Sequence, residues 1–365
     1  MKTLRIKDIC DKGSSNLKQK DVQGFDGKYP VYGASGVIGK INDYHQDKEY
    51  IAIVKDGSGI GRVSFMPAYS SVIGTLQYIL PKQGYNIKYI SYCLQSLDLA
   101  SSKQGAAIPH IYFRDYGEFL VNIEENIDKQ QQIVSFLDSE FEKIDALKAN
   151  AETQLQAAKD LFQKALKEML TPKDGWEIES IGNVFKSYSG GTPIKSHQEY
   201  YDNATIPWLN SGEVCQKYIT STNNYISELG LKNSSAKFFP VNTVLIAMYG
   251  ATAAQAGILK FEATSNQAVC GLLPTKEMLP EFVYYWFLHN KTEFASMAQG
   301  GAQPNLSQVK IKAMPIPVIE IEQQQSICDK LNTFEQKVKQ LQDNYNETIT
   351  LCNDLKQSLL KKIFE

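Results

Sequence analysis

A chain of 365 residues with 43% hydrophobic and 21% charged content has the make-up of a globular protein with room for two or three domains. Its net charge of −2 argues against a dedicated, strongly basic nucleic-acid module. Six scattered cysteines without a CxxC pair, four histidines outside any metal-ligand spacing, and no run of about 18 apolar residues argue against a metal centre and a membrane span.

The N-terminal MKTLRIKDIC has no signal-peptide pattern, and free thiols without an export signal fit a reducing cytoplasm. A first globular domain is expected over residues 1–127, beginning with LRIKDI (Leu4 to Ile9). PVYGASGVIGKI (Pro30 to Ile41) has the glycines and lysine of a phosphate loop, but Ala34 and Ile41 stand where a P-loop needs Gly and Ser or Thr. A strand-like run enters a glycine turn in YIAIVKDGSGIG (Tyr50 to Gly61), which lacks the third glycine of a dinucleotide fingerprint. Strand-like QYILP (Gln77 to Pro81), helix-like NIKYISYCLQS (Asn86 to Ser96) and GAAIPHI (Gly105 to Ile111) complete the domain. A long helix is expected over 128–170, a second globular domain over 171–320 and a second long helix over 321–365.

The second half repeats the first at a separation of about 194 residues. QQIVSFLDSEFEKIDAL (Gln131 to Leu147) aligns without a gap on QSICDKLNTFEQKVKQL (Gln325 to Leu341). Upstream, LRIKDI aligns on WEIESI (Trp176 to Ile181), and the Pro30 loop on PWLNSGE (Pro207 to Glu213). The Tyr50 run aligns on TVLIAMYGATAAQAG (Thr243 to Gly257), and GAAIPHI on GGAQPNL (Gly300 to Leu306). The order of elements is kept while most residues differ. The first half has LVNIEE (Leu120 to Glu125) where the second has the proline-punctuated MPIPVIE (Met314 to Glu320), so the entry into the first long helix is expected to differ in angle.

Apolar residues recur along both helices at alternating three- and four-residue spacing, a coiled-coil pattern. Ile133, Leu137, Ile144 and Leu147 mark the first stripe; Leu331, Phe334, Val338, Leu341 and Leu355 mark the second. A helix over 128–170 extends roughly 65 Å, more than one small domain covers, so the two helices are expected to pair with each other, antiparallel. The fold class is therefore α+β: two similar domains separated by an antiparallel coiled coil, with pseudo-two-fold symmetry.

No nucleophile elbow, triad histidine or nuclease cluster is present, so no chemistry is expected of this chain alone. Three stretches carry a family resemblance: SYSGGTPIKSHQEYYDNATIPWLNSGEV (Ser187 to Val214), GGAQPNLSQVKIKAMPIPVIEIEQQQSI (Gly300 to Ile327), and the helix ending LKQSLLKKIF (Leu355 to Phe364). With the first-half echo GAAIPHIYFRDYGEFLVNIEENIDKQQQIV (Gly105 to Val134), the chain resembles the specificity subunit of Type I restriction-modification systems over essentially its whole length. The resemblance implies two target recognition domains, each reading half of a bipartite, asymmetric DNA target. It further implies a helical spacer docking two adenine-methylating modification subunits and the restriction subunits. S-adenosylmethionine, ATP and Mg2+ are expected only on those partners.

Reading needs side chains at base edges and phosphates. The candidates in the first domain are Tyr32, Ser35, Lys40, Lys55, Ser58, Arg62 and Arg114. Those in the second are Ser189, Thr192, Lys195, Asn210, Ser211, Tyr249, Thr252, Gln303, Asn305 and Lys310. A tandem ligand-binding scaffold unrelated to DNA is the alternative reading of the same duplication.

Overall fold

Two short apolar runs, IAIV and VLIA, sit at equivalent places in the repeat, and each proves to be a strand covered on both faces. The computed structural model describes residues 1–22, 27–105, 109–298 and 305–365. The chain divides into two compact units, one of Met1–Gln154 with Asn344–Glu365 and the other of Leu155–Asp343. Each unit contains one globular part and turns from both long helices.

In the first unit, strand Tyr50–Val54 lies inside a four-stranded antiparallel sheet in the order Cys10–Ser14, Leu76–Pro81, Tyr50–Val54, Val63–Met66. Successive side chains of a strand point to opposite faces. Ile51 and Ile53 join Ile79, the short helix Ile87–Gln95 and the long-helix residues Val134, Leu137, Leu360 and Phe364. Tyr50, Ala52 and Val54 face the other way, toward Val31 and Val72 of a small three-stranded sheet. Because neither face meets water, the strand is apolar throughout instead of alternating.

The second unit repeats this plan around strand Val244–Ala247, within a sheet ordered Ser187–Ser189, Val269–Leu272, Val244–Ala247, Ala256–Leu259, Tyr218–Ile219. Val244 and Ile246 pack toward helix Pro280–His289 and toward Leu166, Leu170, Cys328 and Leu331. Leu245 and Ala247 pack with Leu209, Ile219 and Phe239. The register repeats too: Ile51 stands opposite Ile79, and Val244 opposite Leu272. Both small sheets have a central strand, Tyr29–Gly33 or Ile206–Leu209, antiparallel to one neighbour and parallel to the other.

The N-terminal alignment needs a correction of three residues. Strand Lys2–Arg5 pairs with Leu120–Ile123, and Glu177–Ser180 with Pro315–Val318. The Ile6 amide donates to the Phe119 carbonyl (3.1 Å) and the Ile181 amide to the Met314 carbonyl (2.9 Å), so Ile6, not Ile9, is the counterpart of Ile181. Ile6 and Ile9 are both buried and three residues apart, which lets the sequences slip by one helical step. LVNI forms the same strand as PIPV, whose two prolines occupy alternate positions as an edge ladder allows. The connection into the helix is one residue longer in the first half: Ile123 leads to a helix start at Ile127, Val318 to one at Ile321. Asn126 fills the extra place, its side chain accepting from the amides of Asp128 and Lys129.

The long helices, Ile127–Leu170 and Ile321–Phe364, have 44 residues each. In the first unit they pair antiparallel: Lys356 contacts Asp145 at 2.6 Å while Lys148 reaches Asn353 at 3.0 Å. In the second unit Phe162 stacks on Phe334, with ring centroids 6.5 Å apart. Leu137, Ile144, Leu331 and Val338 are buried as the heptads predict, with Ile133 and Phe334 partly so. Leu147, Leu341 and Leu355 instead face outward, 58%, 40% and 49% exposed. Each precedes by one residue a half-buried polar side chain, Lys148, Gln342 or Lys356, that takes the seam position.

A buried glutamine from each long helix fixes the adjacent short helix. Gln130 accepts from the Asn86 amide (2.8 Å) and donates to the Glu124 carbonyl (2.6 Å). Gln324 accepts from the Leu279 amide (2.8 Å) and donates to the carbonyls of Glu277 and Ile319. Both side chains are fully buried, where an unpaired amide would be costly.

Candidate functional site

The central strands run out into loops of equal length, Lys55–Arg62 and Met248–Gln255, closed by the same backbone bonds. The Gly61 amide donates to the Val54 carbonyl (2.8 Å), and the Ala254 amide to that of Ala247 (2.9 Å). The amides of Lys55 and Met248 donate to Thr75 and Ala268, and their carbonyls accept from Ile111 and Leu306. Gly57 and Gly250 are left-handed at φ 84° and 66°; Gly61 and Ala254 follow at 80° and 64°. An alanine held in the left-handed region shows that the closing bonds, not residue preference alone, dictate this backbone.

In the first unit two further segments meet this loop. Arg62 donates through Nη1 to the Ala34 carbonyl (2.9 Å), tying the loop to the hairpin that carries Tyr32 and Ser35. Asp56 and His110 form a backbone bridge and a side-chain contact, Oδ1 to Nδ1, of 2.7 Å. Arg114 lies over the Tyr112 ring at 4.7 Å, with its Nε 3.6 Å from Asp115. Tyr32, Ser35, Lys55, Ser58, Arg62 and Arg114 thus belong to three linked segments. Lys40 is exposed further along strand Gly36–Ile41, opposite Pro30.

In the second unit Asn210 accepts through Oδ1 from Asn266 (3.1 Å), and Thr192 is hydrogen-bonded to Gln267. Ser189 ends a strand opposite Cys270, and Ser211 follows Asn210 in a single helical turn, Ser211–Glu213. Tyr249 bridges Asn305, and the Thr252 hydroxyl donates to the Tyr249 carbonyl (3.0 Å). The bond from Met248 to Ala268 connects the two groups of residues. Lys195 is exposed, whereas the Lys310 amine donates to the Met297 carbonyl at 2.8 Å. Gln303 lies outside the described residues.

Three functional candidates escaped the sequence reading. Glu213 holds the Asn210 turn, accepting from the Asn210 amide, the Thr222 hydroxyl and the Asn224 side chain. Asp56 and His110 occupy the places of Tyr249 and Asn305, since the same bridge forms in both units. The alignment of GAAIPHI on GGAQPNL already set His110 against Asn305, and that signal identifies it.

Burial pushes the thiols of Cys10, Cys93, Cys270 and Cys328 up to about 12, which suppresses their thiolates. Among the described residues no group of three or more histidines, cysteines and carboxylates is placed to hold a metal, and no helix is long and apolar enough to cross a membrane.

The family model described as "Type I restriction modification DNA specificity domain" matches residues 1–157 and 173–351. The Type I restriction enzyme EcoR124I/EcoR124II specificity subunit of Escherichia coli is 28% identical over 221 residues, 59% of this chain and 54% of that protein. The MjaIX specificity subunit of Methanocaldococcus jannaschii is 28% identical over 187 residues, 49% of this chain and 43% of that protein. The matches thus span about half the length of these curated relatives. A chain solved in a study of complex assembly and conformational transition of the type I R-M system superposes with a TM-score of 0.76 at 15% identity, covering 99% of this chain and 96% of the other. The HsdS subunit from Thermoanaerobacter tengcongensis gives 0.53 at 15% identity, covering 99% and 95%. At such identities the structures speak for the fold.

Proposed function

Since the chain belongs to the Type I restriction modification DNA specificity family, we propose that it selects the DNA target of a Type I complex and leaves the chemistry to partner subunits. Each globular part reads one half of a bipartite, asymmetric sequence in double-stranded DNA. The observation that carries this reading is one loop framework built twice with different side chains. Asp56 and His110 stand where Tyr249 and Asn305 stand, and Arg62 where Gln255 stands, on backbones closed by matching bonds. A catalytic cradle would keep its side chains through a duplication; a reader of two different half-sites changes them.

The long helices set the unread gap and dock two modification subunits and the restriction subunits, in the cytoplasm. Leu147, Leu341 and Leu355, outward of the seam, supply apolar surface for that docking. S-adenosylmethionine, ATP and Mg2+ are held by the partners. The test is co-expression with the methyltransferase encoded nearest to this chain, followed by genome-wide mapping of methylated adenines. A new two-part motif with a fixed gap is expected. No new methylation from a soluble, stable complex would refute the assignment.

A further inference from the structure

We infer that His110, set by Asp56, is a specificity-determining residue of the first domain, and that it accepts a hydrogen bond from the exocyclic amino group of adenine or cytosine. This rests on the reading that the loops face DNA. Two contacts orient the imidazole, and two more hold the backbone that carries it. Its backbone is paired on both sides, with Gln104 (2.8 and 2.9 Å) and in the bridge to Asp56. The ring is stacked on Tyr112 at an interplanar angle of 26°, and Tyr112 is in turn covered by Arg114. Nδ1 lies 2.7 Å from Asp56 Oδ1. The Asp56 carboxylate is steadied by Lys55, whose amine is 3.9 Å from its other oxygen.

An ionised carboxylate only accepts hydrogen bonds, so the proton of the neutral ring must sit on Nδ1. Nε2 then carries a lone pair, and the side chain, 37% exposed, presents an acceptor. In the major groove an acceptor is matched by adenine N6 or cytosine N4 and repelled by the acceptors of guanine and by thymine O4. Asn305, at the equivalent bridge of the second unit, has the amide suited to adenine, so one structural position reads a base in each half.

The test uses the whole chain in complex with its methyltransferase. His110→Ala is expected to make one base pair of one half-site degenerate, leaving the other half-site and the gap unchanged. Asp56→Asn, whose amide can donate or accept and so releases the tautomer, should relax the same base pair. Binding of the unaltered complex to duplexes altered at that base pair gives a readout independent of folding. Removing the exocyclic amino group, with purine for adenine or pyrimidin-2-one for cytosine, should weaken binding roughly ten- to a hundredfold. A 7-deazapurine at the same base pair, which removes only an acceptor, should bind as the natural base does. A His110→Ala complex with an unchanged motif, or sensitivity to the 7-deazapurine and not to amino removal, would overturn the inference while leaving the target-selecting role intact. A wild-type complex that methylates no motif removes both.

Discussion

Gln324 contributes through what its absence would expose. Its amide pairs with the Leu279 amide and with the carbonyls of Glu277 and Ile319, all at the start of the short helix or of the long one. Gln324→Ala should destabilise the fold by about 1–3 kcal/mol, because buried groups lose partners that water cannot replace. Urea unfolding measures this, and Gln130→Ala should behave alike. His289 gives a pH signature. Burial, aided by the Lys167 charge and opposed by Glu293, holds its imidazole below the ordinary 6.5. Its neutral form is thus favoured by folding, and that contribution is complete above about pH 6.5 and is lost as the pH falls from there through the lowered folded value. His289→Gln should flatten the fall in melting temperature between about pH 7.5 and 5; an unchanged slope would assign it to other groups. Neither glutamine was legible in the sequence, since nothing local separates a buried Gln from its exposed neighbours in EQQQSI and DKQQQI.

At the scale of elements, the loop Lys55–Arg62 depends on left-handed glycines. A Cβ on Gly57 meets nothing within 4 Å, so the cost of Gly57→Ala is conformational, about 1–2 kcal/mol. The expected result is a modest drop in melting temperature with faster proteolysis at the loop; wild-type behaviour would show that the loop rearranges freely. The strands here were legible because both faces are buried and the apolar runs are unbroken. The seam was legible to within one residue. Leucine outranks lysine by hydrophobicity, yet Lys148 and Lys356 bury their stems and keep their amines on Asn353 and Asp145. Hydrophobic counting cannot see that a long charged side chain packs along a seam.

For the whole molecule, the duplication and both long helices could be read directly, because periodicity and order survive divergence. The candidate loop surface could be read only in part. The alignment paired His110 with Asn305, but the Asp56 contact joins residues 54 positions apart, and only the fold brings them together. The net charge of −2 has its own consequence. The isolated chain should bind duplex DNA weakly, with affinity falling steeply between about 50 and 200 mM salt, while the methyltransferase complex retains binding. Fluorescence anisotropy across that range checks this, and tight binding by the isolated chain at the upper end would contradict it.

The paired loops are closed by matching main-chain bonds, so exposed side chains such as Ser58 and Tyr249 are not needed to close them, whereas Ile60, Met248, Ala253 and Ala254 pack on the core. Selection, or recombination between related genes, can therefore rewrite the exposed positions of Lys55–Arg62 and Met248–Gln255 while the buried ones stay in place. In that sense the chain separates grammar from vocabulary: exposed loop positions can change by local replacement while the frame that carries them is kept.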